Sequence, residues 1–539
     1  MNHTSVVLLI NGNIRTLAAS RPRASWLLIK NGIIEAVGGA GDPVPAAPRG
    51  AAVIDAQGLL VLPGLTDSHV HFVGHALSLR RLNLDGTNSL DEVLALVARN
   101  AAQVPDGEWL RGRGWSVNAW PGGRFPSRRD LDRIAPKHPV ALTSKDGHTL
   151  WMNSLALALI GLDSAVSDPP GGAFGREPDS HELDGIVQEK AVDVVLPLLP
   201  RLDWRQAADL AAAAQPLAHA LGITGIHNFE GAVALRAFQS LRERDALTLN
   251  VVAYLGSEEL SAVATAGLTT GFGDGRLCFG GIKLFADGAL GSRSAALLLP
   301  YLNEPDNTGI SIPIDELGQA VRAAAAAGCG IAIHAIGDRA NRTVLDLFQQ
   351  TREQELPATT PLPLRLEHAQ LLAVEDLPRP KQLRVTLSMQ PAHATSDMDM
   401  AELYWGRDRI ERGGYAFAQF IAAGAEVIFG SDAPIEPLDP WAGIHAAVTL
   451  RRTDGRPGPQ GWLPAGRISV EQAVQAYTTA PGRVHPLRRG AAGLAVGGQA
   501  DVVVLSQDIF SIPPNEIPNT RALLTISDGR IVHQAESLR

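Results

Sequence analysis

Eight short apolar runs alternate with helical segments, and this alternation constrains the fold more than any other feature of the chain. Each run is rich in Ile, Val, Leu or Phe and is bounded by Gly, Pro or Asp, which is typical of strands buried on both faces. The runs cover residues 61–71, 223–229, 249–255, 281–287, 330–337, 364–369, 385–390 and 426–432. Strand–helix alternation repeated eight times predicts an α/β fold, a (β/α)8 barrel of the TIM type.

Residues that commonly bind metals stand at or near the ends of five of these runs. On strands 1, 4, 5, 6 and 8 they are His69 and His71, Lys283, His334, His368, and Asp432. Residues two apart on a strand share a face, so the first two imidazoles point together. Taken alone, such a pair is often a surface accident, and a single later histidine is more often a satisfied core residue. Together, at the end of the barrel where chemistry occurs, they predict a metal centre.

This order of residues resembles the amidohydrolase superfamily, in the amidohydrolase-3 branch of N-substituted formamide deformylases and related uncharacterised metal-dependent amidohydrolases. The amino-acid sequences of several stretches also resemble this family, and the resemblance covers essentially the whole chain. These stretches are GRGW (112–115), DGHTLWMNSLAL (146–157), IKLFADGALGSRSA (282–295), SMQPAH (388–393), FGSDAP (429–434) and GLAVGGQADVVVL (493–505).

The resemblance implies a centre of two divalent ions that share a carboxylated lysine. One ion is held by His69, His71, the Lys283 carbamate and Asp432. The other is held by the carbamate, His334 and His368. Nitrogen and oxygen donors favour Zn²⁺, with Mn²⁺, Fe²⁺ or Co²⁺ as alternatives. A hydroxide that bridges the ions attacks the substrate carbonyl, and the catalytic Asp432 carries its proton to the leaving nitrogen.

Lys283 is the most unusual residue of this set, because apolar neighbours bury it in a strand. Burial disfavours the charged amine and lowers its pKa. A neutral amine can react with carbon dioxide to give a carbamate, an anion able to bridge two metals. The alternatives are a lysine that extends its ammonium to solvent at the strand end, or one that acts as a plain cation.

Three blocks divide the chain. Residues 1–63 and 480–539 read as short strands and are expected to pair into one β-sandwich, with Asn31-Gly32 as a hairpin turn. Residues 64–479 form the barrel. An insertion of about residues 76–205, far longer than one connection needs, follows the first strand. It contains a helix over 88–104 and is expected to form a lid or a pocket wall.

Substrate-binding residues are the least determined part of the prediction. The candidates are Trp115, Asp146, His148, Trp151, Asn153, Arg293, Gln390 and His393. The two tryptophans either line an apolar pocket or pack the insertion. The two histidines either bind the substrate carbonyl or make ordinary loop hydrogen bonds. Arg293 either pairs with a substrate carboxylate or forms a structural salt bridge.

Composition limits the partners and the surroundings. The net charge of −9 argues against nucleic acid or an anionic membrane as a partner. The two cysteines, Cys278 and Cys329, are expected to be buried thiols in a reducing compartment. The N-terminus has neither the basic region nor the cleavage site of a signal peptide, so a cytoplasmic protein is expected. The expected partner is then a small-molecule amide substrate. A homodimer is a further possibility that the sequence leaves open.

The sequence thus predicts an amidohydrolase that cleaves a C–N bond of an amide, formamide or cyclic amide. Carbamates and esters present the same carbonyl to the same metals. A mononuclear deaminase or an esterase of the same superfamily is the alternative. Deaminases of the superfamily typically carry a glutamate three residues after the strand-5 histidine, where this chain has Gly337. A non-enzymatic scaffold is disfavoured, since every ligand is present.

Overall fold

The computed structural model describes residues 6–117, 120, 125–145, 147–354, 362–487 and 493–538. The chain divides into two compact units. One comprises Met1–His75 and Trp204–Arg539, and the other comprises Ala76–Asp203. Among the described residues, none of the helices combines the length and the apolar character that a membrane crossing requires.

The first unit contains a sheet of eight parallel strands whose neighbours follow one another in chain order. They are Leu65–Val70, Ile223–Asn228, Asn250–Gly256, Leu277–Phe285, Ile331–Ala335, Leu364–His368, Thr386–Met389 and Glu426–Phe429, called here barrel strands 1 to 8. Asp432 N donates to His69 O at 2.7 Å and His71 N donates to Ala433 O at 2.9 Å, which joins the end of strand 8 to strand 1. The predicted TIM-type barrel is confirmed.

Helices connect the barrel strands. They are Phe72–Arg80, Trp204–Ala220, Gly231–Glu243, Leu260–Thr265, Ile314–Ala326, Asp338–Gln354, Arg379–Gln382, Pro391–Ser396, Met398–Tyr404, Arg407–Gly413, Phe417–Ala422, Pro440–Thr449, Val470–Tyr477 and Thr479–Val484. Capping residues determine where several of these helices begin. Asp439 caps Pro440–Thr449, and Ser469 with Gln472 forms a capping box for Val470–Tyr477. Their buried apolar faces complete the barrel core.

Strands from both ends of the chain form two further sheets in the same unit. The first has the order Ile33–Gly38, Trp26–Lys30, Val6–Ile10 and Ala52–Asp55. The second has the order Arg530–Gln534, Ala522–Ser527, Val502–Leu505, Leu60–Pro63, Asn13–Arg15 and Arg23–Ala24. One apolar core contains side chains from both sheets. At the predicted hairpin, Asn31 and Gly32 have φ of 53° and 81°, as a type I′ turn requires.

The chain's two cysteines are buried near the starts of neighbouring barrel strands. Cys278 lies in strand 4, and Cys329 stands two residues before strand 5. They form no disulfide, as the sequence predicts. Cys329 Sγ donates to Leu268 O at 3.4 Å, and Cys278 Sγ lies 3.9 Å from His485 Nε2.

The second unit has a six-stranded sheet of its own, which the sequence analysis did not predict. Its order is Gly172–Arg176, Leu183–Glu189, Thr149–Met152, Val140–Ser144, Leu110–Trp115 and Leu82–Asn83. Its helices are Leu90–Ala101, Arg128–Ile134, Ser154–Leu159 and Lys190–Val195. The predicted helix over 88–104 is confirmed in Leu90–Ala101, where Ser89 Oγ accepts a hydrogen bond from Glu92 N at 3.2 Å. A lid function for this unit stays a prediction.

Candidate metal centre

The six side chains predicted as metal ligands all lie at the carboxyl end of the barrel strands. His69, Lys283, His334 and His368 belong to strands 1, 4, 5 and 6. His71 directly follows strand 1, and Asp432 lies three residues after strand 8. Parallel strands end at the same side of a barrel, so the fold gathers residues that are up to 363 positions apart in the sequence.

The first group of candidate ligands is formed by strands 1 and 8. His69 Nε2 lies 3.6 Å and His71 Nε2 lies 3.4 Å from Asp432 Oδ1. One ligand atom from each of the three residues falls within 4.8 Å of the others. Two imidazole nitrogens and a carboxylate oxygen at this spacing match the donor set of a catalytic zinc site.

A second group around the same carboxylate contains His368 and His393. Their ligand atoms and that of Asp432 also lie within 4.8 Å of one another. His393 Nε2 is 3.7 Å from Asp432 Oδ2. Gln370 Nε2, however, donates to His393 Nδ1 at 3.3 Å, so Nδ1 acts as the acceptor and Nε2 carries a proton. That buried Nε2 has no hydrogen-bond partner among the described residues, so His393 is better suited to donate to a substrate oxygen than to bind a metal.

His334 and Lys283 complete the predicted set. The rings of His334 and His368 stand 4.6 Å apart in an edge-on arrangement. His334 Nε2 donates to Gly288 O at 3.1 Å, which leaves its Nδ1 as the nitrogen with a free lone pair. Lys283 Nζ lies 5.0 Å from the ring centre of Phe229 and 5.2 Å from that of Phe285. The amine is thus buried beside two aromatic rings, with the charges of Glu367, Asp432 and Arg365 also acting on it.

Backbone conformation explains how two of the ligands reach the centre. His368 has φ of 71° and Asp432 has φ of 58°, both in the left-handed region that non-glycine residues rarely adopt. Regular alternation would place His368 on the opposite face of strand 6 from Glu367. The left-handed turn at the end of the strand lets both side chains face the barrel interior. Strain of this kind is concentrated at functional sites.

The buried histidines are neutral. Burial and the nearby Lys283 charge lower the pKa of His69 to about 4. Burial and the Lys283 charge lower the pKa of His334 to about 3. Burial, together with His334 and His69, holds the pKa of His368 well below its usual range. A neutral imidazole keeps the lone pair that a metal requires.

Asp432 is ionised despite its burial. Burial alone raises the pKa of this carboxyl, but the hydrogen bond from His71 and the neighbouring His69, His368 and His393 lower it more strongly. The net pKa is well below the usual range. A carboxylate that stays charged in a desolvated site is a strong ligand and a proton acceptor of defined position.

Lys283 is more easily deprotonated than an ordinary lysine. Its side chain is 5% exposed. Burial lowers its pKa to about 8, against the opposing effects of Glu367 and Asp432. A substantial fraction of the amine is therefore neutral just above neutral pH, which is the form that reacts with carbon dioxide.

Two residues that sequence reasoning did not place beside the ligands orient them. Glu367 Oε2 accepts the Nδ1–H of His69 at 2.7 Å. Gln390 Oε1 accepts the Nδ1–H of His368 at 2.8 Å. Both bonds leave Nε2 as the nitrogen with a lone pair. Gln390, predicted to bind substrate, thus orients the candidate ligand His368. Glu367 was missed, although it directly precedes His368 in a strand.

Three substrate candidates are instead structural residues of the second unit. The side chains of Trp115, Trp151 and Asn153 are 1%, 0% and 0% exposed. Trp115 Nε1 donates to Leu142 O, and Trp151 Nε1 donates to Ser127 O, both at 2.9 Å. Asn153 caps the helix Ser154–Leu159 and bonds the backbone of neighbouring strands. Packing and internal hydrogen bonds thus occupy these three, and for the two tryptophans this is the packing alternative considered above.

The remaining candidates lie on the surface or outside the described residues. His148 is exposed, with its Nδ1 3.0 Å from Glu189 Oε2. Arg293 forms an ion pair of 2.5 Å with Glu304, so its contact is the structural alternative considered above. Asp146 lies outside the described residues.

The donor set fits a divalent metal ion. His69 and His368 each present a free Nε2, and His334 presents Nδ1, because the other ring nitrogens are already bonded. Asp432 supplies an ionised carboxylate between the histidines. Neutral imidazoles with an ionised carboxylate match the preferences of zinc and of neighbouring first-row metals.

Comparisons with known proteins agree with this chemistry. Residues 52–533 match the sequence model of the amidohydrolase family. The protein LONG AFTER FAR-RED 3 of Arabidopsis thaliana is 31% identical over 93% of this chain and 87% of its own. The putative amidohydrolase YtcJ of Bacillus subtilis is 30% identical over 89% of this chain and 90% of its own. The N-substituted formamide deformylase of Arthrobacter pascens is 26% identical over 97% of both chains.

A solved structure shows the same architecture. The crystal structure of an uncharacterised metal-dependent hydrolase from Pyrococcus horikoshii superposes with a TM-score of 0.79 at 29% sequence identity. The match covers 95% of this chain and 99% of that one. The family model spans most of the chain and the barrel carries the expected ligands, so this chain belongs to the amidohydrolase family.

Proposed function

We propose that this protein hydrolyses a C–N bond in a small amide, formamide or cyclic amide at a centre of two divalent metal ions. The observation that supports this most directly is the position of Asp432. Its carboxylate stands between His69 and His71 on one side and His368 and His393 on the other. A single ionised carboxylate among several imidazoles is suited both to metal binding and to proton transfer.

The residues divide naturally between two ions. His69, His71 and Asp432 would hold one, and His334 and His368 the other, with a carboxylated Lys283 between them. Zn²⁺ suits these donors best, and Mn²⁺, Fe²⁺ or Co²⁺ are compatible. Bound metal would supply a Lewis acid for the substrate carbonyl and lower the pKa of water.

Carboxylation of Lys283 is supported by its surroundings. The amine lies between the rings of Phe229 and Phe285 and is nearly inaccessible to solvent. An ammonium in this position would repel metal cations, and weak screening in a dry site makes that repulsion large. Addition of carbon dioxide to the neutral amine, with loss of a proton, would give a carbamate anion whose oxygens could serve as metal ligands.

Asp432 and His393 carry the proton transfer and the orientation of the substrate. The ionised Asp432 accepts a proton from the attacking water and delivers it to the leaving nitrogen. His393 Nε2–H donates to the substrate carbonyl oxygen and stabilises the negative charge that develops there. The 3.7 Å between the two side chains lets them act on one carbonyl group.

The choice of a C–N bond is supported by family membership and by the similarity to an N-substituted formamide deformylase. The net charge of −9 is consistent with a small neutral substrate rather than with nucleic acid or an anionic membrane. The proposal therefore has a small-molecule amide as the partner of this site.

A substrate screen with metal analysis tests the proposal. Zinc-loaded protein is assayed against matched formamides, acetamides, cyclic amides, carbamates and esters, with the metal content measured by elemental analysis. We expect about two metal ions per chain and turnover of a C–N substrate that is lost in chelator and restored by Zn²⁺. Full activity in chelator, or deamination as the sole reaction, would contradict the proposal.

A further inference from the structure

We infer that Glu367 and Arg365 act together as positioning residues for His69, and that they fix which nitrogen of its ring is offered to a metal. The inference rests on the proposed metal centre but on no particular substrate. Glu367 and Arg365 belong to strand 6, two positions apart, so both side chains point into the barrel. They are 0% and 2% exposed.

Glu367 acts through His69 and is not itself placed to bind a metal. Its Oε2 lies 2.7 Å from His69 Nδ1 and 3.1 Å from Arg365 Nη2. Its Oε1 accepts from Arg365 Nε at 2.8 Å. Both oxygens are therefore occupied, and what Glu367 supplies to the centre is the orientation of the His69 ring.

Arg365 anchors this carboxylate to three other strands. Its Nη1 lies 2.7 Å from His227 Nδ1 on strand 2 and 3.2 Å from Tyr254 OH on strand 3. Its Nη2 donates to Ser68 O on strand 1 at 2.8 Å, next to His69 itself. The planar guanidinium binds the carboxylate through two nitrogens, a geometry that lysine cannot reproduce.

The arrangement determines the tautomer of His69. A carboxylate held by an arginine accepts hydrogen bonds only, so His69 must carry its proton on Nδ1. The lone pair is then on Nε2, the nitrogen that faces Asp432 at 3.6 Å. Loss of the carboxylate would free the ring to rotate and to exchange tautomers, and both changes weaken metal binding.

The desolvation free energy needed to bury this ion pair indicates that the pair has a role at the metal centre rather than in stability alone. Barrel interiors are normally filled by branched apolar side chains. Desolvating an arginine and a glutamate is expensive, and apolar residues of similar volume often give equal or greater stability. The pair is instead explained by the single arrangement that it imposes on His69 and on the backbone of strand 1.

Zinc release from the full-length protein tests the inference without any substrate. Zinc-loaded wild type and the variants E367A, E367Q and R365K are mixed with a chromogenic chelator, and zinc affinity is read from the competition. We expect E367A to bind zinc about 10- to 100-fold more weakly. E367Q should lose less zinc affinity, since its amide oxygen can still accept the Nδ1–H. The zinc affinity of R365K should lie between those of E367A and E367Q.

A matched control separates positioning from stability. Arg276 is also a buried arginine, which bonds Thr248 O at 2.6 Å, Ser527 Oγ at 2.8 Å and Asp528 Oδ2 at 3.0 Å. It directly precedes strand 4, at the end opposite to the carboxyl end where Lys283 lies. R276K should lower the thermal unfolding temperature and leave zinc affinity unchanged. If E367A does not fold, E367Q and R365K carry the test.

The outcomes distinguish the inference from the function on which it rests. Zinc affinities of the folded E367A, E367Q and R365K proteins within twofold of wild type would overturn the inference and leave the metal centre in place. Wild-type protein that holds no zinc would overturn both. Weaker zinc binding in E367A, with no C–N substrate found, would support the positioning role and count only against the proposed substrate class.

Discussion

Asp432 is the residue on which the chemistry of the centre depends most. It contacts His69 and His71 through Oδ1 and His393 through Oδ2. Its backbone N–H also donates to His69 O, which ties the ligand to strand 1. Under the proposed function this one side chain serves in both metal binding and proton transfer, so a change there should be severe for activity and mild for folding.

Asp432→Asn should fold and lose activity by about 10²- to 10⁴-fold, because an amide cannot accept and return the proton. The measurement is kcat/KM on the substrate found in the screen, with circular dichroism as the check on folding. Asp376→Asn is the matched control. Asp376 is buried and paired with Arg342 at 2.7 Å and Arg379 at 3.1 Å, away from the ligands. That variant should lose stability and keep turnover.

Lys283→Ala should lose at least one metal ion and most activity, since it removes the proposed bridging group. A short carboxylic acid such as acetate or propionate should restore part of both by filling the vacated space. Metal content and kcat are measured with and without the acid. In the wild type, reactivation of metal-free protein by Zn²⁺ should be faster with bicarbonate. Electron density showing an unmodified Lys283 in the active enzyme would contradict the carbamate.

Individual helices and strands set the surroundings of these residues. The helix Trp204–Ala220 leads into strand 2 and ends near His219, a buried histidine outside the centre. Its Nδ1 is 2.9 Å from Ile223 O and its Nε2 is 2.8 Å from Thr248 Oγ1. This ring connects the helix to the starts of neighbouring strands, and burial lowers its pKa to about 4.

The depressed pKa of His219 makes stability depend on pH. The unfolded chain binds a proton near pH 6.5, whereas folded His219 binds one only near pH 4. The stability that this neutral ring contributes is full above pH 6.5 and is lost as the pH falls through that window. His219→Gln should reduce the loss of unfolding free energy between pH 7 and pH 5 by about 2 kcal/mol relative to wild type.

Urea denaturation of both proteins at the two pH values measures this difference. His181→Gln, a change at an exposed histidine, is the control and should leave the pH dependence unchanged. A His219→Gln protein with the same pH dependence as wild type would show that the buried ring does not resist protonation.

At the scale of the whole molecule, the barrel and the terminal strands belong to one compact unit. Arg276, at the start of strand 4, bonds Ser527 Oγ and Asp528 of the C-terminal hairpin. Thr525 Oγ1 donates to His219 O at 2.7 Å, and Asn250 Nδ2 donates to Asp501 at 3.0 Å. These polar contacts, added to the apolar core of the terminal sheets, imply that the barrel and sheets unfold together.

Ile526→Ala should lower the free energy of unfolding by about 2–5 kcal/mol, because Ile526 is fully buried in the core of the terminal sheets. Ile531 lies opposite Ile526 on the adjacent strand and is 38% exposed, so Ile531→Ala is the matched control, with a change of roughly 0.5 kcal/mol. Urea denaturation, followed by both barrel and sheet signals, measures the two. An Ile526→Ala transition confined to the sheet signal would contradict joint unfolding.

Local sequence patterns were sufficient for the barrel and for the position of six candidate ligands at one of its ends. Apolar runs with buried β-type residues predicted all eight barrel strands, since strand formation and burial depend on short segments. The direction of parallel strands then placed His69, His71, Lys283, His334, His368 and Asp432 at one end. The turn at Asn31-Gly32 and the helix cap at Ser89 also depend only on residues close together in the sequence, and both were predicted correctly.

What the tertiary structure alone decided were the partners of these residues. Glu367 and Gln390 orient His69 and His368 across strands, and no spacing along the chain specifies which side chains meet inside a barrel. The left-handed backbone at His368 and Asp432 breaks the alternation on which sequence reasoning relies. For Trp151 the sequence left a pocket role and a packing role open, because an aromatic residue has the same local signature in a pocket and in a core. Short-range preferences determine which elements form, whereas contacts between distant residues determine which side chains serve the site.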